Sequence, residues 1–373
     1  VTQSRHVWAC SEMKAFTGDP VYLDYARHGF LFLRDHMWDK QYGGFFNLVS
    51  REGTPLKEAD PKQFAKNAYG NAYAIYGLAA YYRESRDPGV LELAKEAFAW
   101  LEKGSHDPVY GGYFQFLNQD GTPIREGGPG GTPPKDQNSS IHILEALTEL
   151  YHVWPDDLVR KRLDEMLHLI RDVIVNDKGS LQLYLNADLT PVSYQDSSKK
   201  VHLKHYALDH MSFGHDVETA YLLMEASEAL NSVADSKTLE IGKKMVDNSM
   251  NYGWDNSNAG VYDVGYFYKN EKSVTIIRDT KNWWAQSETL NTLLIMSELY
   301  PDDPLNYRKR FFDQWKFIKD YLIDWQHGDW YSGSTDKEPR AKEGTKANIW
   351  KGNYHTTRAL INCITRIREM GKK

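Results

Sequence analysis

The sequence carries clusters of polar and aromatic residues that recur at intervals of 62 to 77 residues. One anchor from each cluster gives the series Arg5, Asn67, Asn138, His215, Trp284 and His355. A period of this length is typical of repeated supersecondary units. Most anchors stand near the start of a segment with helical apolar periodicity, so we expect the repeats to bring them to one end of a closed ring of helices.

A second repeat lies between the helical segments. Asp39–Phe46 (DKQYGGFF) recurs 68 residues later as Asp107–Phe114 (DPVYGGYF), and weaker echoes lie at Asp255–Asp263 and His327–Gly333. Paired glycines flanked by aromatic residues are typical of tight turns that lead into short extended segments. The sequence therefore predicts short β-hairpins in the loops that connect helix pairs.

Apolar periodicity predicts eleven helices. A twelfth is expected in a segment preceding Val1, because the sequence starts inside a helical pattern without an initiator Met. Six helix pairs and regular anchors predict an all-α fold, an (α/α)6 barrel or toroid of six helical hairpins, with the anchors on the inner helices. No Ser/Pro-rich linker divides the chain, so residues 1–373 are predicted to form one domain.

Charge and composition narrow the class of partner. The formal net charge is −6 and no apolar run approaches 18 residues, which argues against binding to nucleic acid or a membrane. The 2 cysteines, Cys10 and Cys363, are too few for a disulfide framework and lack the spacing of metal ligands. We expect a cytoplasmic protein, a monomer or homodimer, that acts on a small molecule.

His215 is a candidate acid/base residue in the first turn of a predicted helix. The helix N-terminus disfavours an imidazolium, whereas the carboxylate of Glu218, three residues on, favours it and can fix the tautomer. Together these influences suit a histidine that titrates near neutral pH. The alternative interpretation is a capping cluster in which Asp216 and Glu218 satisfy backbone donors.

His355 is a second candidate, because it opens the last predicted inner helix among aromatic residues. His215 and His355 belong to repeats two apart in the ring, so their side chains are expected to approach one small ligand from different sides. Epimerisation needs two bases on opposite faces of one carbon, one to remove a proton and one to return it. The alternative for His355 is a packed core histidine.

Two further clusters suit the binding of a sugar. Asn138 and His142 stand four residues apart, on one helical face, where His142 suits either a sugar hydroxyl or the core. The pair Trp283 and Trp284 offers an indole for stacking on a sugar ring, and Glu288 offers oxygens for hydroxyls. Two adjacent indoles cannot both face a pocket, so one of the pair is expected in the core.

Arg5 near the first inner helix suits an oxyanion or, equally, the surface. The chain has no Gly-x-Gly-x-x-Gly after a predicted strand, which argues against a nicotinamide cofactor. No His, Cys, Asp and Glu set has clear metal spacing. We therefore expect no cofactor and no metal.

Four ordered motifs resemble one known family. They are Gln3-x-Arg5-x-x-Trp8, Gly214-His215-Asp216-Val217-Glu218, Trp283-Trp284-x-Gln286-x-Glu288 and Trp350-Lys351-Gly352-x-Tyr354-His355. Together they resemble the N-acylglucosamine 2-epimerase superfamily across nearly the whole chain, and most of all its cellobiose 2-epimerase and mannose 2-epimerase branch. The (α/α)6 barrel of that family agrees with the helix pattern.

The resemblance implies an isomerase with a set of catalytic residues. His215 and His355 match the two histidines that exchange the proton on carbon 2 through an enediolate. Arg5 matches the arginine near the reacting oxygens, and Glu218 matches the carboxylate that supports the first histidine. The residues expected to bind the sugar are Asn138, His142, Trp284, Glu288, Trp350 and Tyr69.

The expected reaction interconverts glucose and mannose configurations, on the free sugars or at the reducing end of a cellobiose-type disaccharide. Cellobiose-type members carry a further histidine two residues before the equivalent of His142, where this chain has Ser140, so free mannose stays open as substrate. Epimerisation of N-acetylglucosamine and mannose–fructose isomerisation share the same enediolate and stay open. The rival classes are an inverting glycoside hydrolase that uses Glu218 and Glu288, and a carbohydrate-binding toroid without activity.

Overall fold

The computed structural model describes residues 1–56, 65–269 and 271–372. The chain packs into two compact units. The first comprises Val1–Ile174, Gln182–Val192 and Glu225–Ala234, and the second comprises Val175–Leu181, Ser193–Met224 and Asp235–Lys373. The organisation of residues 1–373 as a single domain stays a prediction.

The first unit contains three helix pairs. Their bounds are α1 (Thr2–Thr17), α2 (Val21–Phe32), α3 (Ala68–Ser85), α4 (Pro88–Gly104), α5 (Gln137–Val153) and α6 (Asp157–Leu169). Helices α2 and α6 each continue into a π-helical turn, at Leu33–Met37 and Ile170–Ile174. Helix α3 packs against α1 and α5, and each even-numbered helix packs against the helix before it. The inner helices of this unit are therefore α1, α3 and α5.

Inner and outer helices differ in their side chains for a physical reason. Helix α4 buries one stripe, including Val90, Leu93 and Ala97, as expected for an amphipathic helix with one solvent-facing side. Helix α3 is buried over most of its length and is rich in Ala, Gly and Tyr. A Cβ at Gly77 would lie 2.7 Å from the carbonyl oxygen of Ser4, so α1 and α3 reach their separation only because position 77 has no side chain.

The second unit contains the remaining helices. They are α7 (Lys199–His205), α8 (Phe213–Asn231, of which Glu225 onward belongs to the first unit), α9 (Ser236–Tyr252), α10 (Trp283–Leu299), α11 (Tyr307–Tyr321) and α12 (Tyr354–Met370). Helix α10 packs against α11 and α12. No helix in the described ranges is both long enough and apolar enough to cross a membrane.

The eleven helices predicted from the sequence are all present. The further helix in the described ranges is α7, which the sequence analysis missed. Its seven residues span two turns, too few for an apolar period to be recognised.

Short antiparallel strands precede several helices. Strand β1 (Lys66–Asn67) pairs with β2 (Phe116–Leu117), β3 (Lys135–Asp136) pairs with β4 (Tyr184–Leu185), and β5 (Met211–Ser212) pairs with β6 (Val264–Tyr266), which also pairs with β7 (Thr275–Arg278). Asn67 ends β1 and caps α3, because its Oδ1 accepts a hydrogen bond from the Gly70 amide at 2.6 Å. These strands therefore set where the inner helices begin.

The segments that repeat in the sequence form closed turns. Asp39 Oδ1 accepts hydrogen bonds from the amides of Gln41 (2.9 Å) and Tyr42 (3.2 Å), and Asp107, Asp255 and Asp324 bind their own following amides in the same way. An antiparallel bridge closes each turn at Trp38↔Phe45, His106↔Tyr113, Trp254↔Val261 and Ile323↔Trp330. Gly43 and Gly44 both have positive φ, a conformation that glycine adopts without strain. The predicted short hairpins are therefore confirmed.

A buried lysine directly before the N-cap residue of an inner helix ties each of three turns to the start of that helix. The Nζ atoms of these lysines lie 2.7 to 2.8 Å from an aspartate of the turn and also donate to a carbonyl oxygen within it. The pairs are Lys66–Asp39, Lys135–Asp107 and Lys281–Asp255. At the corresponding place in another repeat, Asn176 replaces the aspartate and Met211 replaces the lysine. Both charges are absent there together, because a single buried charge is costly.

This pattern predicts how the pair responds to substitution. Lys135→Met should lower the free energy of unfolding by about 3 to 5 kcal/mol, because it leaves the Asp107 carboxylate buried without a cation. The double variant Asp107→Asn/Lys135→Met reproduces the Asn176 and Met211 combination and should cost less than the single variant. Urea unfolding of the single and double variants measures both effects. A double variant less stable than Lys135→Met would contradict this account.

Candidate active site

Arg5 lies on α1 in the first unit and is almost fully buried. Its guanidinium donates to the hydroxyl oxygens of Tyr69 (2.9 Å) and Tyr73 (2.7 Å), which stand one turn apart on α3. Its Cζ also lies 4.3 Å from the centre of the Tyr73 ring. The alternative prediction of a surface arginine is therefore wrong.

His142 on α5 joins the same group of side chains. Its Nδ1 lies 2.8 Å from Glu145 Oε2 and 3.0 Å from the hydroxyl of Tyr73, and its ring packs edge-on against Tyr69 with centroids 5.4 Å apart. The structure thus brings together three predicted site residues, Arg5, Tyr69 and His142. We call this group, with Tyr73 and Glu145, the first-unit cluster.

Asn138 lies one turn before His142 on α5 and is half-buried. Its Oδ1 is buried and accepts no hydrogen bond from the described part of the chain. A buried acceptor without a donor is unfavourable unless a ligand or water supplies one. This atom suits a hydroxyl donor, as expected of a residue that binds a sugar.

His215 occupies the first turn of α8 in the second unit and is half-buried. Strand β5 ends at Ser212, whose Oγ lies 2.8 Å from Nδ1 of His215. Ser212 stands where Asn67 caps α3, so the local strand-to-helix junction places the imidazole. With Nδ1 engaged by the hydroxyl, Nε2 is the ring nitrogen suited to proton exchange with a ligand.

His355 occupies the first turn of α12 and is buried. Its Nδ1 lies 2.6 Å from Oε1 of Glu288, which is on α10 and has no exposed surface. A carboxylate at this distance orients the ring, fixes the proton on Nδ1 and stabilises the imidazolium. The other carboxylate oxygen of Glu288 accepts a hydrogen bond from the hydroxyl of Tyr221 at 2.7 Å. The predicted contact of Glu288 with sugar hydroxyls stays a prediction.

Trp284 on α10 contacts both histidines. Its ring centroid lies 4.6 Å from that of His215 and 5.9 Å from that of His355. Trp283 beside it is buried and Trp284 is half-buried, so Trp283 is the indole of the pair that lies in the core. One indole therefore supports both imidazoles, and we call His215, Trp284, Glu288, His355 and Arg358 the second-unit cluster.

Arg358 links two carboxylates of the second unit. Its guanidinium donates to Glu288 Oε1 at 2.6 Å and also to Glu218, both of which are buried. Burial raises the pKa of the Glu288 carboxyl, but Arg358 and His355 outweigh that effect and hold its pKa below the ordinary value. Glu288 is therefore a carboxylate at neutral pH.

For two predicted residues, the contacts or exposure in the structure do not by themselves indicate the expected role. Glu218 was expected to support His215, and in the second unit it accepts a hydrogen bond from Arg358, so support of His215 stays a prediction. Trp350 was expected to contact the sugar and lies before α12 with 61% of its surface exposed. Its contact with a ligand also stays a prediction.

Sequence reasoning assigned no role to Arg358, Tyr221, Tyr73 or Glu145. One signal was available, because each of three histidines has a charged residue three positions later, on the same helical face. These pairs are His142 with Glu145, His215 with Glu218, and His355 with Arg358.

Three residues of the second unit also have the donor types that bind a metal. Among the described residues, Glu218, Glu288 and His355 offer ligand atoms within 4.8 Å of one another. Arg358 already donates to both carboxylates and supplies the positive charge that a cation would bring. We therefore assign no metal to this position, and the absence of a metal and of a cofactor from the reaction stays a prediction.

The chain was compared with known proteins. A family model described as N-acylglucosamine 2-epimerase matches residues 1–359. The chain belongs to this family. The resemblance inferred from the four motifs is confirmed, and the protein is an isomerase, as predicted.

Relatives and solved structures support the cellobiose 2-epimerase branch of the family. This epimerase is 27% identical over 368 residues to a cellobiose 2-epimerase of Bacteroides fragilis, an alignment that covers 98% of this chain and 86% of the relative. It is 22% identical to a D-mannose isomerase of Marinomonas mediterranea, with coverage of 98% and 86%. The structure of cellobiose 2-epimerase from Spirochaeta thermophila matches with a TM-score of 0.84 at 28% identity, covering 99% of this chain and 86% of that one. The predicted fold class, an all-α (α/α)6 barrel, is confirmed by this likeness.

Asp216 follows His215 in this epimerase and is fully buried. Its carboxylate accepts hydrogen bonds from the Leu181 amide at 2.9 Å and from the Ser180 hydroxyl at 2.7 Å. Neither partner is a cation, and burial raises the pKa of Asp216 to about 7. The residue therefore ties the loop at Val175–Leu181 to the first turn of α8 with a carboxyl group that titrates near neutral pH.

Two other inner helices carry an amide where α8 carries Asp216. Asn71 on α3 accepts from the Phe45 amide and donates to the Phe45 carbonyl oxygen. Gln286 on α10 makes the same pair of hydrogen bonds with Val261. An ionised carboxylate lacks the donor, so an amide is the better fit to this position at high pH.

The raised pKa of Asp216 predicts a pH-dependent stability. A carboxyl whose pKa is higher in the folded state stabilises the fold at low pH, and this contribution is lost as pH rises through about 7. At pH 8 the free energy of unfolding of Asp216→Asn should therefore exceed that of wild type by at least about 1 kcal/mol, and near pH 4 the two should not differ in this way. The converse change, Asn71→Asp, is the matched control and should destabilise the protein at pH 8. Equal pH dependence in Asp216→Asn and wild type would contradict this assignment.

Proposed function

We propose that this enzyme interconverts the glucose and mannose configurations at carbon 2 of a sugar by proton exchange between His215 and His355. The substrate is free mannose or glucose, or the reducing end of a cellobiose-type β-1,4-disaccharide. The supporting observation is the pair of histidines on one indole, each in the first turn of its helix and each with Nδ1 engaged.

The proposed reaction starts from the open-chain sugar. One histidine removes the proton from carbon 2 through Nε2, which gives an enediolate, and the other returns a proton to the opposite face. The carboxylate of Glu288 stabilises the imidazolium that forms on His355, so Glu288 acts as a positioning residue. One histidine gains a proton and the other loses one, and exchange with solvent restores both, so the reaction balances without a redox step.

Charge develops on the oxygens of the enediolate, and fixed donors stabilise it best. Arg5 keeps its charge at all relevant pH values and is held by two tyrosine hydroxyls, which suits it to this role. Asn138, with an unmet acceptor, and His142 are proposed to bind hydroxyls of the sugar. Trp284 is proposed to stack on the ring of the substrate.

The spacing of Glu218 and Glu288 does not suit the rival function, an inverting glycoside hydrolase. An inverting glycosidase needs two carboxyl groups about 6.5 to 9.5 Å apart, one of them protonated. Glu218 and Glu288 share one guanidinium, and their nearest ligand atoms lie within 4.8 Å. Arg358 and His355 hold the pKa of Glu288 below its ordinary value, so Glu288 is ionised and does not supply the acid.

The choice between free sugar and disaccharide rests on opposing observations. Relatives named cellobiose 2-epimerase align over nearly the whole chain. Ser140 stands where cellobiose-type members carry a histidine. Its hydroxyl donates to the carbonyl oxygen of Asp136, the N-cap residue of α5, at 2.7 Å. Ser140 therefore gives a disaccharide less to bind than a histidine would.

Removal of either histidine should abolish most of the activity. His215→Ala and His355→Ala should each slow epimerisation by on the order of a hundredfold or more, because each is proposed to transfer a proton at the reacting carbon. His168→Ala changes an exposed histidine on α6 and should behave as wild type. Steady-state rates, with circular dichroism as a check of folding, measure this. Near-wild-type turnover in either catalytic variant would return that histidine to a core role.

The mechanism and the substrate are tested together in heavy water. Mannose, cellobiose and N-acetylglucosamine are each incubated with the enzyme, and products are examined by NMR. We expect the 2-epimer with deuterium at carbon 2 and undiminished activity in the presence of a chelator. Product without deuterium, or a shorter sugar, would refute the proposed mechanism, whereas reaction of N-acetylglucosamine alone would refute only the substrate. Formation of fructose from mannose would instead identify an aldose–ketose isomerase.

A further inference from the structure

Arg358 lies on α12 three residues after His355, and only 4% of its surface is exposed. Its guanidinium donates to Glu288, to Glu218 and to the hydroxyl of Tyr354. Its Cζ also lies 4.5 Å from the centre of the Tyr354 ring. These contacts hold one cation against two carboxylates from different helices, α8 and α10.

The charges of this group explain why an arginine is needed. Two buried carboxylates this close cannot both ionise without a cation, and one of them would otherwise bind a proton. If Glu288 bound that proton, it would no longer offer His355 an ionised acceptor. Arg358 prevents this, because its guanidinium donates to both groups at once.

The balance of charge also suits proton transfer. Glu218, Glu288 and Arg358 together carry one net negative charge when both carboxylates are ionised. That charge is cancelled when His355 binds a proton, so the group is neutral in the imidazolium state. Without Arg358, a carboxylate would compete with His355 for the same proton.

We propose that Arg358 is a positioning residue for the epimerisation: it keeps Glu218 and Glu288 ionised side by side, so that Glu288 orients His355 and stabilises its imidazolium. This inference rests on the proposed function, in which His355 exchanges a proton with the substrate. It adds a residue to which neither the sequence motifs nor their spacing assigned a role.

Other titratable side chains of the second unit lie beside Glu218, Glu288, His355 and Arg358. The hydroxyl of Tyr221 on α8 donates to Glu288, and that of Tyr354 on α12 contacts Arg358. Burial raises the pKa of the Cys363 thiol on α12 to about 12. His215 contacts the same indole as His355, so a pH effect near neutrality is attributed to the two carboxylates and His355 only where it changes with Arg358 or Glu218.

The test is a double-mutant cycle of Arg358→Met and Glu218→Gln, with Arg358→Lys as the charge-conserving control. Arg358→Met should lower kcat by about tenfold or more at pH 7, leave KM within about twofold, and move the acid limb of the kcat profile to higher pH. In the Glu218→Gln background the same change should cost less, because only one carboxylate remains to be kept ionised. Arg358→Lys should keep the acid limb near that of wild type.

Two results would overturn the inference. One is wild-type kcat in Arg358→Met. The other is an equal loss of kcat in both backgrounds with an unmoved acid limb, which would make Arg358 a structural residue only. If Arg358→Met does not fold, the comparison of Glu218→Gln with the double variant and with Arg358→Lys still decides.

A second measurement needs no substrate and separates this inference from the proposed function. In Arg358→Met one buried carboxyl should have a raised pKa, so the free energy of unfolding should fall more steeply with rising pH between 5 and 8 than in wild type. The double variant should lose part of that steepness. An unchanged slope in Arg358→Met would refute the charge argument, even if the enzyme proved active on every sugar tested. Conversely, if no sugar reacts but the slope changes, the proposed function fails and the role of Arg358 in ionising the pair stands.

Discussion

The compensation of buried charge is the constraint on which the rest of this structure depends. Lys66, Lys135 and Lys281 end with their ammonium groups inside the protein, where an unpaired charge would be strongly unfavourable. Each is met by an aspartate and by a carbonyl oxygen of a closed turn. Because each lysine immediately precedes the N-cap residue of an inner helix, the pair fixes a loop to the start of that helix. The repeat is therefore held at the helix starts, where the candidate catalytic side chains lie.

The same constraint shapes the two clusters of candidate site residues. In the first unit, Arg5 is solvated by tyrosine hydroxyls in place of water, and His142 has a carboxylate beside it. In the second unit, one arginine serves two carboxylates, and His355 is bonded to one of them. A buried polar network of this kind is stable only when its members are satisfied, and it then holds side chains in one orientation. Acid/base chemistry benefits from that rigidity, since a proton acceptor must meet its carbon within hydrogen-bond reach.

The sequence predicted the helices and the family well, and the partners of the site residues less well. Apolar periodicity and the repeated Gly-Gly turn motifs are local features of the sequence, so eleven helices and the short hairpins were recognisable. Spacing of three residues placed His355 and Arg358 on one face of a helix, yet it could not identify the carboxylate that both would meet. Glu288 lies 67 residues before His355 in the chain. Its predicted contact with the sugar stays a prediction, and it lies beside His355 because α10 packs against α12.

The sequence by itself determined the all-α class, the repeat, the positions of His215 and His355 at helix starts and the epimerase family, because all of these are written in short segments. Only the tertiary structure decided which groups compensate one another. Arg358 and Glu218 are 140 residues apart, and nothing local to either predicts that they meet. The tertiary structure also decided that Trp283 is core while Trp284 contacts both histidines, since neighbouring residues on a helix point about 100° apart and only packing selects the inward one. Local preference acts through the backbone of a few residues, whereas the state of a buried charge depends on every charge that folding brings within a few ångströms of it.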